Sequence, residues 1–230
     1  MTTAKAKTEP HDGGFVTTDT TLENSPVGGL PKRVFDIFFS IIAILSTLPF
    51  FIILPVIIYI MSPGPVFFAH NRVGFGGKVF PCLKFRTMVP NADRMLQAHL
   101  AQDLDAQAEW AMHRKLKNDP RIIPFLGAFM RRLSLDELPQ FINVLRGEMS
   151  VVGPRPLTQV ELDDYEEAAG RYKAARPGIT GLWQVSGRSD ISFTQRVELD
   201  SRYVTTCTLP MDIRLIAKTI SVLLNGRGAY

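Results

Sequence analysis

The apolar run from Ile37 to Met61 constrains this chain more than any other feature: it carries no charge, is interrupted by Pro49 and Pro55, and has basic residues on both sides. As a helix of about 25 residues it would reach about 37 Å, enough to cross a hydrocarbon core of about 30 Å. Lys32 and Arg33 precede it; Arg72, Lys78, Lys84 and Arg86 follow, and no acidic residue lies between Met61 and Asp93. A spanning helix keeps its positive excess on one side. Two basic flanks fit better if both ends stay on that side and the run turns back near its middle. Pro49 lacks the N–H that the helix ladder needs, and the break at Leu48–Pro49 leaves halves of about 18 Å, each too short to cross alone. A kinked span remains open on composition, because membrane helices tolerate proline. The run is not read as a cleaved signal peptide: it is longer than the roughly 7–15 residues of a signal core, and no small-residue cleavage pattern follows it.

Residues 1–30 are rich in Thr, Gly, Asp, Glu and Pro and read as a disordered tail. Residues 31–62 form the membrane segment, and residues 63–230 are long enough to build a catalytic domain around one core. Cys82 and Cys207 make neither a disulfide framework nor a zinc pattern, which suits the reducing cytoplasm, and the four histidines are scattered. A net charge of +4 favours anionic partners. Nucleic acid is excluded as the partner, since no helix-turn-helix, zinc finger or RNA-binding aromatic signature accompanies the charge. Membrane lipid and phosphate substrates remain.

The expected fold is mainly α with a small β-hairpin. Val66–Phe68 and Val79–Leu83 are strands around the glycines at 74, 76 and 77. A helix from Asn91 to about Lys117 has Met95, Leu96, Leu100, Leu104 and Trp110 as its apolar side, a face that a homodimer would bury. Ser134-x-x-Glu137, Thr158-x-x-Glu161 and Ser192-x-x-Gln195 read as capping boxes. Pro210 opens a last helix that ends before Asn225-Gly226; its face of Ile213, Ile216, Ile220 and Leu223–Leu224 packs on the core or lies in a membrane interface.

Candidate chemistry concentrates in Arg131-Arg132-Leu133-Ser134-Leu135-Asp136-Glu137-Leu138-Pro139. With Ser134 as N-cap, Asp136 and Glu137 fall in the positive end of a helix dipole, which favours the carboxylate by about 0.3–1 kcal/mol. An ionised carboxylate can be a nucleophile, and nearby guanidiniums can neutralise phosphate oxygens. On this motif alone plain helix capping is the simpler reading of the same residues. In Gly153-Pro154-Arg155-Pro156 the prolines hold Arg155 extended, ready for a phosphate or merely solvated. The glycine-rich stretch Pro177–Ser189 offers backbone N–H groups for an anion, Trp183 for stacking on a base or sugar, Gln184 beside it, and Arg188 for a phosphate; a buried tryptophan under a structural loop is the other reading. Lys84 and Arg86 attract lipid headgroups or meet the phosphate of a lipid substrate.

Taken in order, Lys32-Arg33-x-Phe35-Asp36, Asn71-Arg72-x-Gly74, Lys84–Met88, Ser134–Gln140, Val152–Pro156 and Arg176–Gly181 resemble the bacterial sugar transferases, the monotopic phosphoglycosyl transferases, over about residues 31 to 225. The nearest resemblance is to the galactose-1-phosphate transferases that begin rhizobial-type exopolysaccharides. The resemblance implies transfer of a sugar 1-phosphate from a UDP-sugar to undecaprenyl phosphate at the cytoplasmic face of the bacterial inner membrane. It implies Asp136 as nucleophile, Glu137 with Asp136 as Mg²⁺ ligands, and Lys84, Arg86, Arg131, Arg155, Gln184 and Arg188 as substrate-binding residues. Asp200 becomes a metal or structural support. The membrane helix is implied to be re-entrant, with Leu48–Pro49 where many relatives carry Ser–Pro, so the break needs another support. Galactose is the implied sugar, with glucose next. Direct transfer, with Asp136 as a metal ligand or base, and a membrane-anchored scaffold are the competing readings.

Overall fold

A computed structural model describes residues 25–113, 115–187 and 191–224. The apolar run forms two helices, α1 (Gly29–Ser46) and α2 (Leu48–Met61), bent by 59° at Thr47. Among the described residues no single helix is long and apolar enough to cross a membrane, whereas the bent pair has the length and composition to do so together. The support that a Ser–Pro pair would give is found just upstream. The hydroxyls of Thr47 and Ser46 both donate to the Ala43 carbonyl, at 2.6 and 3.0 Å. Pro49 then sits in the first turn of α2, where its missing N–H costs no ladder bond.

Helix α1 is turned inside out. Its buried residues are Lys32, Asp36 and Ser40, spaced four apart along one face, while Val34, Phe38, Ile41, Ile42 and Leu45 are exposed. A buried charge is tolerable only with partners, and each charged residue here has one far along the chain. Lys32 Nζ donates to Asp212 Oδ2 at 2.6 Å, and Tyr203 donates to the other oxygen of that carboxylate at 2.7 Å. Asp36 Oδ1 accepts from the Ser150 hydroxyl and the Val151 N–H, both at 3.0 Å. Arg33 donates to the carbonyls of Val144 and Leu145, in the last turn of α6 (Gln140–Arg146), where carbonyls lack an i+4 partner; that of Val144 also accepts from the C-cap Gly147 N–H. Leu54 and Ile58 of α2 pack with Phe85, Ile123 and Met130 in a core of their own.

Strands β1 (Phe67–Val73) and β2 (Val79–Phe85) form the expected antiparallel hairpin, longer than the sequence suggested, with Phe68 opposite Lys84. The single long helix after it is instead two, α3 (Ala92–Gln102) and α4 (Leu104–His113). Asp103 is extended between them, and its carboxylate accepts from the Ala106 N–H. It starts a new helix, as an N-cap aspartate does. The apolar side expected for the long helix is not buried: α3 has no buried residue and Leu104 is 80% exposed.

Two short strands beyond the hairpin, β3 (Ser150–Val152) and β4 (Gly178–Thr180), pair in parallel. Their backbones approach so closely that a Cβ at Gly153 would lie 2.4 Å from the Arg176 carbonyl, and one at Gly178 would lie 2.1 Å from the Gly153 nitrogen. Between them lie α7 (Gln159–Asp163) and α8 (Ala168–Lys173). Helices α9 (Phe193–Thr206) and α10 (Leu209–Leu224) follow. The capping boxes at Thr158 and Ser192 both form. Helix α10 presents Asp212 and Leu215 to the core and leaves Ile213 and Ile220 exposed, so its inward face is rotated from the isoleucine stripe read in the sequence. The main core gathers Phe80, Val144, Met149, Val152, Tyr203 and Leu215 from β2, β3 and the helices around them. Cys82 and Cys207 are free thiols.

Candidate active site

Helix α5 (Leu126–Arg132) ends in a way that decides the geometry of the acidic pair. Ser134 follows the C-cap Leu133 and adopts a left-handed conformation, φ 54° and ψ 26°, with no side-chain capping bond. It closes α5, at the position where glycine usually supplies that backbone shape. The expected Ser134–Glu137 capping box is therefore absent, and the carboxylates lie in the short 3-10 turn Leu135–Glu137, outside any long helix dipole. Leu135 and Leu138 on either side are anchored against the Ile123–Met130 core.

Lys84 meets both acids from β2. Its Nζ lies 2.6 Å from Glu137 Oε1 and 3.8 Å from Asp136 Oδ2. The strand is fixed just before the lysine by Asn143 of α6, fully buried, which accepts from the Leu83 N–H and donates to the Pro81 carbonyl. Sequence reasoning missed Asn143; its signal is an amide set between the apolar residues Phe141, Ile142, Val144 and Leu145. Burial pushes the Asp136 carboxyl up to about 6, with Glu137 adding to the rise and Lys84 and Arg131 opposing it. Burial pulls the Lys84 ammonium down, but the two carboxylates outweigh it and raise its pKa.

The cations separate into distinct groups. Arg131 donates from Nε to the Thr87 hydroxyl at 2.9 Å. Arg155 is carried beside Trp183 by the β3–β4 pair, and Arg196, not singled out in the sequence, joins it; their guanidiniums lie 5.6 and 5.0 Å from the indole ring. Trp183 is 6% exposed, which matches the buried-tryptophan reading, and two cations already lie over its ring. The Gly178 N–H donates to the Pro154 carbonyl and the Gly153 N–H to the Thr180 carbonyl, so these amides brace the loops and are not free for an anion. Gln184 donates to the Ile179 carbonyl, and its buried Oε1 has no partner. Arg86 is buried and donates to the Ser62 carbonyl at the exit of α2. Asp200 is 2% exposed and accepts from the Tyr165 hydroxyl; burial raises its carboxyl to about 7, opposed by Tyr165 and Arg155. Arg188 lies outside the described residues.

Two hollows meet at the acids. One, about 900 Å³, runs beside the hairpin and is lined by Lys84, Asp136 and Arg86; the other, about 410 Å³, reaches Trp183 and Gln184. Both are lined by Arg131, Ser134, Glu137 and Arg155. No cluster of three or more His, Cys, Asp or Glu side chains encloses a metal among the described residues. Two adjacent carboxylates at an open cleft do fit Mg²⁺, which takes one or two protein carboxylates together with substrate phosphates and water.

A buried carboxylate beside a second acid, a lysine and arginines, in an open cleft, is chemistry suited to a phosphorylated substrate. Residues 28–226 match the model of the bacterial sugar transferases, and the chain belongs to that family. It is 45% identical over 205 residues to the exopolysaccharide production protein ExoY of Sinorhizobium fredii, covering 89% of this chain and 90% of that one. It is 43% identical over 226 residues to ExoY of Rhizobium meliloti, covering 98% and 100%. It is 49% identical over 204 residues to the undecaprenyl-phosphate galactose phosphotransferase of Salmonella typhimurium, a longer protein; that match spans 86% of this chain and 41% of the relative. The chain is thus a phosphoglycosyl transferase.

Proposed function

We propose that this enzyme transfers galactose 1-phosphate from UDP-galactose to undecaprenyl phosphate, releasing UMP, as the first step of exopolysaccharide repeat-unit assembly. The observation that carries the reading is Asp136: a buried carboxyl on the wall of the larger hollow, held beside Glu137, Lys84 and Arg131. Asp136 attacks the phosphorus that bears the sugar. The bond from that phosphorus to the UMP oxygen breaks, and UMP leaves with the electron pair. An oxygen of the lipid phosphate then attacks the same phosphorus and displaces the Asp136 carboxylate, giving a diphosphate-linked lipid sugar with no net proton exchange. Lys84 keeps Asp136 ionised near neutral pH, and Arg131 and Arg155 steady the phosphate oxygens. Glu137 and Asp136 would hold Mg²⁺, which supplies neutralising charge to the diphosphate when bound.

The bent α1–α2 pair enters the membrane from the cytoplasmic face of the inner membrane and returns to it, with residues 63–230 as the catalytic domain outside. Its support is the inverted α1, whose polar face is buried against protein and whose apolar face is bare, together with the exposed Ile52, Ile53, Val56 and Ile60 of α2. An apolar surface of this extent marks a membrane or partner contact. The relatives' names supply the lipid carrier and galactose, and the basic flanks supply the side.

The test is UMP release by purified protein across UDP-sugars. A stoichiometric burst from UDP-galactose without lipid, absent in Asp136→Asn, is expected. Release that always requires lipid would favour direct transfer, and turnover with UDP-glucose alone would change the sugar.

A further inference from the structure

Asp200 is a buried acid that the transfer chemistry leaves unused. It lies on α9 one turn after Arg196, whose guanidinium is over the Trp183 ring. Its Oδ2 accepts from the Tyr165 hydroxyl at 3.1 Å, and its Oδ1 is buried without a hydrogen bond of ordinary geometry. Burial raises its pKa, and the Tyr165 hydroxyl, the Arg155 N–H and the Arg155 charge oppose the rise. The Arg155 N–H is therefore aimed at this carboxylate. A buried acceptor that loses its donors costs about 1–3 kcal/mol, so Asp200 holds that N–H in place.

The segment that carries Arg155 is bonded on both sides of it. The Gly153 N–H donates to the Thr180 carbonyl, and the Pro154 carbonyl accepts from the Gly178 N–H. Beyond the arginine, the Pro156 carbonyl accepts from Arg72 and the Leu157 N–H donates to the Tyr172 hydroxyl. Pro154 and Pro156 have no N–H of their own, so the Arg155 amide is the middle donor of the segment and neither neighbour can replace it. Tyr165, the other partner of Asp200, meets Tyr172 edge-on at 5.9 Å, which joins the two supports into one. The head of Arg155 is left open. Among the described residues it forms no ion pair within 4 Å. It lines both hollows, and Arg131, Arg196 and Lys115 line the smaller one with it.

We propose that Asp200 is a positioning residue of the transfer site: its carboxylate fixes the backbone of Arg155, so that the guanidinium meets a substrate phosphate with its own charge unpaired. This rests on the transfer reading above and adds what holds one of its phosphate-binding arginines. An acid that paired with the guanidinium itself would order the side chain and neutralise it. Asp200 takes the N–H, which orders the chain and leaves the head for the substrate. A displacement of such a group by about 1 Å costs about a hundredfold in rate.

Hydrogen exchange of the full chain in nanodiscs reads the positioning without any chemistry, because Pro154-Arg155-Pro156 contains a single exchangeable backbone amide. In Asp200→Leu, which removes the acceptor and keeps the bulk, the Arg155 amide should exchange about tenfold faster than in the wild type. In Asp200→Asn, whose carbonyl still accepts, it should stay within about threefold. Unchanged exchange in Asp200→Leu overturns the proposal. A double-mutant cycle on the UMP burst from UDP-galactose then reads the function. Asp200→Leu alone should slow the burst about ten- to hundredfold, and in an Arg155→Ala background the same change should cost less than about threefold. Costs that multiply in the double variant would place the effect of Asp200 elsewhere and overturn the proposal. So would a burst in Asp200→Asn as slow as that in Asp200→Leu, the mark of a required negative charge such as a metal ligand. Asp200→Ala carries the same two comparisons if Asp200→Leu does not fold. Wild-type protein that gives no burst removes the transfer reading, and the exchange rate of the Arg155 amide then decides the positioning alone.

Discussion

Replacing Asp136 by asparagine should stabilise the protein while abolishing its chemistry. Asp136 is 8% exposed, and burial is the main reason its carboxyl rises from the ordinary 3.8 to about 6. Holding that group ionised at pH 8 thus costs the folded state about 3 kcal/mol relative to the unfolded chain. The sign follows from the direction of the rise. The penalty is absent below about pH 4, where the carboxyl is protonated in both states; it grows through about pH 6 and is complete above that. Asparagine keeps the shape and removes the charge. Lys84 retains its shorter contact to Glu137, at 2.6 Å, so little pairing is lost. In a chain of this size about 3 kcal/mol corresponds to a rise in Tm of about 6–12 °C. The assay is thermal unfolding of wild-type and Asp136→Asn protein in identical nanodiscs at one scan rate, from pH 4.5 to 8. The variant should melt higher at pH 8, and the gap should shrink toward pH 4.5. Equal melting temperatures at pH 8, or a gap that does not vary with pH, would show that ionising Asp136 is not costly and would remove the burial argument.

The rate of the lipid-independent UMP burst should fall about tenfold per pH unit below about 6, as the nucleophile is protonated; a rate still flat at pH 5 would contradict the raised carboxyl. Lys84→Met removes the largest influence holding Asp136 down, so the acid limb of that profile should move toward neutral pH, and an unmoved limb would show that the two groups do not communicate. Lys32→Met strands the fully buried Asp212 carboxylate and should cost about 3–5 kcal/mol, seen as lost folded yield. Adding Asp212→Asn should recover part of that yield, and no recovery would mean that Lys32 acts through its other contacts.

Local signals were read well where the local chain decides the outcome. The boxes at Thr158 and Ser192, the Pro210 helix start and the glycine-turned hairpin each satisfy their backbone within a few residues, and all are present. Ser134 has the same pattern as those boxes and behaves differently, because α5 must end there and Glu137 has a nearer partner in Lys84, 53 residues upstream. Asp103 carried an N-cap signal inside an apolar pattern that looked continuous. The acidic pair itself and Arg131 and Arg155 were legible from residue types and order. What brought Arg196 and Lys115 to them was not, since that depends on the parallel pairing of β3 with β4 and on the path of the chain between helices. Asn143, Asp36 and Asp212 were equally silent: a polar residue in a helix declares its role only through partners brought from distant parts of the chain.

The inverted face of α1 also sets a schedule for biogenesis. Lys32 is made early, but the carboxylate that neutralises it lies 180 residues later in the chain. At about 5–20 residues per second the ribosome takes roughly 10–40 s to deliver Asp212 after Lys32. Until then Lys32 must stay in contact with water, whereas Ser150 and Val151, the partners of Asp36, are made earlier. A chain halted before α10 therefore leaves Lys32 without its carboxylate, although α6 and β3 already offer partners to Arg33 and Asp36.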